Sequence, residues 1–134
     1  MRIAWVRLIL AAIAAEACAI LILVAAVALF GPGEPNAAQL FAERLGRFVG
    51  PIAGTLLGLA GGYLIARRLN SGQLLHGALF GVVFAATDVV LLLAAQAAFE
   101  WLFVASNATR IVSGTLGGML ATKFAPQPPT HGAT

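Results

Sequence analysis

Three ionisable residues stand inside long apolar stretches: Glu16, Asp88 and Arg110. Such a group at bilayer depth costs about 2.5–3.5 kcal/mol even on lenient insertion scales, so it faces the protein interior and finds a partner or a task. Asp88 and Arg110 have the chemistry of an ion pair. Glu16 has the chemistry of a group that gains and loses a proton in mid-membrane, as a proton-coupled carrier requires. The remaining chemistry is thin. Cys18 is the single cysteine, which excludes an internal disulfide and a cysteine-rich metal site; its apolar neighbours predict a small buried hydrophobe. His76 and His131 lie far apart with no Cys/His cluster, so no metal is expected, and His76 reads as a helix-entry residue. No nucleophile, base and orienting group are spaced for catalysis. The glycine-rich segment 58–62 lies in an apolar run with no strand before it, and the P-loop pattern is absent. Neither an enzyme nor a cofactor is expected.

Whatever positions these groups must be apolar. Of 134 residues, 60% are apolar and 10% charged, with a mean hydropathy of +0.95. Eight basic and five acidic residues cannot clothe a soluble domain of this size. This excludes a soluble enzyme, a disordered chain and a nucleic-acid module, despite a pI near 10.0. The sequence reads as an all-α polytopic membrane protein, a bundle of four transmembrane helices. The predicted spans are 8–30, 48–66, 74–99 and 104–121, each near the ~20 residues that cross a bilayer core. Backbone groups in lipid must be satisfied internally, so each span is expected to be helical. Strict two-residue alternation is missing, which excludes a barrel.

The outer loop opens Gly31-Pro32-Gly33-Glu34-Pro35, a rigid break. Asn36 with Gln39 resembles a capping box, and Leu40, Phe41, Leu45 and Phe48 follow at helical spacing, which predicts a short interfacial helix over 37–47. The tail 126–134 is proline-rich and polar and is expected to be disordered. Arg2 and Arg7 before an apolar run resemble a secretory signal, but the run is long and Glu16 interrupts it, so it is read as a retained first helix. Arg2, Arg7, Arg67, Arg68 and Lys123 fall on one side, and Arg44 and Arg47 on the other with Glu34, Glu43 and Glu100. The basic excess places both termini in the cytoplasm.

Depth follows from helical rise. Asp88 lies about 21 Å beyond Leu74, and Arg110 about 20 Å before Lys123, at 1.5 Å per residue. The two stand at matching heights on antiparallel neighbours, so a buried Asp88–Arg110 pair is expected; snorkelling of Arg110 to the outer interface is the alternative. Glu16 lies about 14 Å beyond Arg7 and has no second intramembrane base. It is expected to bond Thr55, Thr87 or a backbone carbonyl as a neutral acid, or to join Arg110 in a three-way cluster.

Gly50, Gly54, Gly58 and Gly62 form a stripe along the second span, a glycine-zipper pattern. Gly77 and Gly81 repeat the step in the third span, and Gly114 and Gly118 in the fourth. Small residues let helix backbones approach closely in lipid, either within one bundle or between copies. Gly61-Gly62-Tyr63-Leu64-Ile65-Ala66-Arg67 is similar to Gly117-Gly118-Met119-Leu120-Ala121-Thr122-Lys123, and the first and third spans each carry one acid. Two related hairpins in a parallel repeat fit this pattern.

The run Gly-Gly…Ala-Arg ending the second span, followed by Leu75-His76-Gly77, resembles small bacterial four-helix membrane proteins of uncharacterised families over residues 54–81. That resemblance implies a four-helix fold in a bacterial inner membrane and no particular activity. Ala15-Glu16 in a short four-helix chain is similar to the small multidrug resistance transporters, in which a first-helix carboxylate exchanges protons for cationic substrates. The family's downstream Lys and Ser-Gly and its Trp-containing third-helix segment are missing here, so only Glu16 carries over. Three functions remain in view. The first is a non-catalytic accessory or assembly subunit, with membrane lipids and a homo-oligomer or larger membrane complex as partners. The second is a small proton-coupled carrier, dimeric, using Glu16 and Asp88. The third is an oligomeric pore built on the Gly50–Gly62 stripe. No nucleic-acid partner is expected.

Overall fold

A computed structural model describes residues 4–97 and 99–124. Arg2, His131 and the tail 126–134 lie outside the described residues. The chain forms four helices: α1 (Trp5–Phe30), α2 (Pro35–Ala66), α3 (Gln73–Ala94) and α4 (Trp101–Phe124). Three of them, α1 to α3, are long and apolar enough to cross a membrane. The fourth matches them in length, at 24 residues, but carries Ser106, Asn107, Thr109, Arg110 and Ser113 in its middle.

Helix boundaries follow local chemistry and differ from the expected spans by more than three residues in two places. Segment 37–47 is not a separate interfacial helix; it is continuous with the second span in α2. Glu34, rather than Asn36, caps that helix, its carboxylate accepting from the backbone N–H of Ala37 at 2.7 Å and of Asn36 at 3.3 Å. Pro35 follows at the first helical position, where its missing N–H is not needed. The helix also runs through Pro51, which removes one ladder bond without ending the helix. The second difference is the end of α3, which stops at Ala94 rather than near Phe99 because Gln96 takes a left-handed conformation, φ 52°. Gln96 N–H donates to Leu93 O at 3.1 Å and Ala97 N–H to Leu92 O at 3.0 Å. This is a Schellman closure with glutamine where glycine is usual.

The helices alternate in direction. Gly54, Gly58 and Gly62 of α2 meet residues 110, 113 and 114 of α4 in rising order, so those two run parallel. Gly77 and Gly81 of α3 meet α4 in falling order and run antiparallel to it. α2 and α3 touch along the middle, α4 packs closely on both, α1 packs more loosely on both, and α1 and α4 make no backbone approach to one another. The section is a rhombus with α1 and α4 at its far corners.

Close approach on the α4 side depends on glycine. A Cβ at Gly81 would lie 2.9 Å from Ile111 Cα, and one at Gly114 would lie 2.8 Å from Gly81 Cα. Neither backbone can yield without opening the interface. On the α1 side, Leu8, Ala12, Ile65, Phe80 and Phe84 form the apolar core. The large apolar side chains otherwise point outward: Ile9, Leu21, Val24, Val82, Val90 and Leu93 are all exposed. Polar groups are inside instead, with Glu16, His76, Ser106, Arg110 and Ser113 buried. Single exposed leucines mean little, but a largely apolar exterior with five polar or charged side chains buried departs from the pattern of a soluble protein.

Candidate functional site: a buried ion cluster

Arg110 leaves α4 and passes between α2 and α3 toward α1. Its opening is Gly54, where a Cβ would lie 2.7 Å from the Arg110 Nε. Beyond it the guanidinium divides its fork. Nη1 donates to Glu16 Oε2 at 2.8 Å, and Nη2 lies 3.0 Å from Asp88 Oδ1. The carbon of the guanidinium sits 4.6 Å from the centre of the Phe84 ring, a distance at which a ring face attracts a cation. Phe84 in turn stacks on Phe80, centroids 5.7 Å apart. The planar, five-donor fork is what lets one side chain serve two carboxylates; a lysine would offer a single point charge.

The cluster is enclosed. Arg110 is 3% exposed and Glu16 6%; Asp88 retains 15% of its side-chain surface. Asn107, one turn before Arg110, donates its amide to Asp88 Oδ2 at 2.9 Å and to Phe103 O at 2.9 Å. This contact fixes the second oxygen of Asp88. Arg110 Nε and Asn107 Oδ1 are buried without hydrogen-bond partners. Two surface grooves flank the bundle, one of about 330 Å³ between α2 and α4 and one of about 450 Å³ between α1 and α2, and none of the three charged residues lines either.

The Asp88–Arg110 contact expected from matching heights is present, and Arg110 does not snorkel outward. Glu16 takes the three-way alternative. Thr55 and Thr87 are not its partners, since each bonds its own helix, at Pro51 O and Val83 O. Cys18 is exposed rather than buried, because it lies two residues past Glu16, about 200° round the helix from the buried stripe. The His76 Nδ1 lies 2.9 Å from Gly72 O, where it closes the first turn of α3. Among the described residues no group of His, Cys, Asp and Glu could hold a metal.

The glycine stripe is not uniform. Gly50 faces open space, whereas Gly54 meets Arg110, Gly58 meets Ser113 and Gly62 meets the Gly114 backbone. Gly77, Gly81, Gly114 and Gly118 mutually close the α3–α4 seam. The stripe is thus occupied within the chain from Gly54 onward, and of its four glycines Gly50 alone meets nothing. Asn107 was not anticipated; its signal was a polar amide three residues from a buried arginine. Comparison with family models, curated proteins and solved structures gives no match.

Proposed function

We propose that the chain is a non-catalytic, polytopic inner-membrane protein of a bacterium, an accessory or assembly subunit whose four helices all cross the bilayer with both termini in the cytoplasm. The apolar exterior supports insertion, and the distribution of arginines over the two ends supports the orientation. The bacterial setting rests on the resemblance over 54–81. The parallel course of α2 and α4, with the acids of α1 and α3 meeting on one arginine, supports a parallel repeat of two hairpins.

The observation that carries the reading is the enclosure of the ion cluster. A carrier needs its carboxylate to meet a hydrated path, while a structural subunit can seal it. Here Glu16 serves to tie α1, the loosest helix, to the opposite corner of the bundle. The outer faces of the helices are then left for lipid and neighbouring chains. A second reading, a proton-coupled carrier, draws on charge arithmetic: two carboxylates share one guanidinium, so the cluster has room for one proton.

Reconstituted full-length protein separates the two. Under an imposed pH gradient, liposomes holding the protein are expected to match empty liposomes in proton flux, with Glu16→Gln unchanged. A flux that disappears in Glu16→Gln would transfer the function to the carrier reading.

A further inference from the structure

The groove between α1 and α2 has a charged mouth and an apolar bed. Arg7, Arg67 and Arg68 stand at the mouth, and the bed runs down past Ala11 and Ala14 to Cys18. Its length is about 16 Å, the rise over the eleven helical steps from Arg7 to Cys18. Small side chains on α1 keep it open, and its volume of about 450 Å³ lies beside α1, the most loosely packed helix of the bundle.

The arginines are exposed and have no counter-charge among the described residues. All five side-chain carboxylates are placed elsewhere: Glu16 and Asp88 on Arg110, Glu100 on Arg47, Glu34 capping α2 and Glu43 beside Gln39. Orientation in the membrane accounts for arginines at this end. It does not account for an apolar groove leading away from them into the hydrocarbon.

We propose that this groove seats one acidic phospholipid, its phosphate held by Arg7, Arg67 and Arg68 and an acyl chain lying between α1 and α2. Guanidinium forks match phosphate oxygens in pairs. Basic pockets between helices at the cytoplasmic surface are suited to anionic headgroups. A free phosphate would satisfy the arginines and leave the groove empty. A second copy would bring three more arginines against these. A choline headgroup adds a positive charge where three already stand. The site rests on the membrane reading of the chain.

The test uses full-length protein extracted from membranes and analysed by native mass spectrometry with phosphatidylglycerol or phosphatidylcholine added. Phosphatidylglycerol is expected to be retained at least fivefold more, roughly the contribution of one basic side chain near an anionic surface. Arg7→Gln/Arg67→Gln/Arg68→Gln is expected to abolish that preference. Ala14→Phe, which fills the groove at an exposed position and leaves the arginines intact, is expected to reduce it. Inorganic phosphate is expected not to displace the lipid; displacement would overturn the proposal in favour of a plain anion site. Equal retention of the two lipids, or a preference that survives the triple variant, would also overturn it. Carbonate washing of the membranes separates the two levels. A chain that is released overturns the membrane reading and the lipid site with it. A chain that stays and retains both lipids equally overturns the lipid site alone.

Discussion

Removing Arg110 and removing one of its acids should have very different consequences. Arg110→Gln takes away the only positive charge in the cluster and leaves Glu16 and Asp88, both largely buried, without a counter-ion. Breaking a buried pair in this way costs about 3–5 kcal/mol. Glu16→Gln leaves Arg110 paired to Asp88 at 3.0 Å, and the new amide oxygen can still accept from Nη1. The loss is then the difference between a charged and a neutral hydrogen bond, about 1–2 kcal/mol. The gap between the two variants is roughly 2 kcal/mol, about a thirtyfold difference in the unfolding equilibrium. Reversible unfolding of the purified chain in mixed micelles, followed by far-ultraviolet circular dichroism, measures it. The fully neutral Glu16→Gln/Asp88→Asn/Arg110→Met chain should recover much of what Arg110→Gln loses, because no buried charge remains to be compensated. Equal destabilisation by Arg110→Gln and Glu16→Gln would refute the claim that one guanidinium holds two carboxylates.

Two further outcomes follow from the geometry. Gly54→Ala should destabilise by about 1–3 kcal/mol, the usual range for overpacking, because the new methyl meets the Arg110 side chain where it crosses the bundle; Gly50→Ala, one turn earlier in open space, should be neutral or stabilise by up to about 1 kcal/mol through helix propensity, and the same unfolding assay ranks them. Glu100→Gln should change stability by no more than about 1 kcal/mol, since the Arg47–Glu100 contact of 3.0 Å is solvent-accessible on both sides; thermal unfolding at low and high salt reads whatever contribution it makes.

The helices were legible in the sequence because the apolar runs are near twenty residues long and lack the two-residue alternation of strands. Their ends were less so. Nothing in Gln96 announces a left-handed residue, a role glycine or asparagine would have advertised. In α2 the polar residues Glu43, Arg44 and Arg47 resembled a surface helix distinct from the span. A helix does not end where its polarity changes, only where its hydrogen-bond ladder does, and Pro51 alone did not end it.

The cluster was half legible for a related reason. Helical rise places Asp88 and Arg110 at one height on neighbouring helices, which is a one-dimensional argument and sufficient for that contact. Glu16 needed two further facts that rise does not contain. One is lateral: α1 stands diagonally across from α4, so its acid can be reached only through the middle of the bundle. The other is the opening, a missing side chain at Gly54. In sequence Gly54 looks like any other member of the Gly50–Gly62 stripe. In the fold the four glycines face open space, an arginine, a serine and a backbone. Periodicity therefore identified the small-residue face, and only the packing of α4 decided what each gap admits. Arg110 sits where a gap, a ring face and two acids coincide, and moving it one turn along α4 would lose all three.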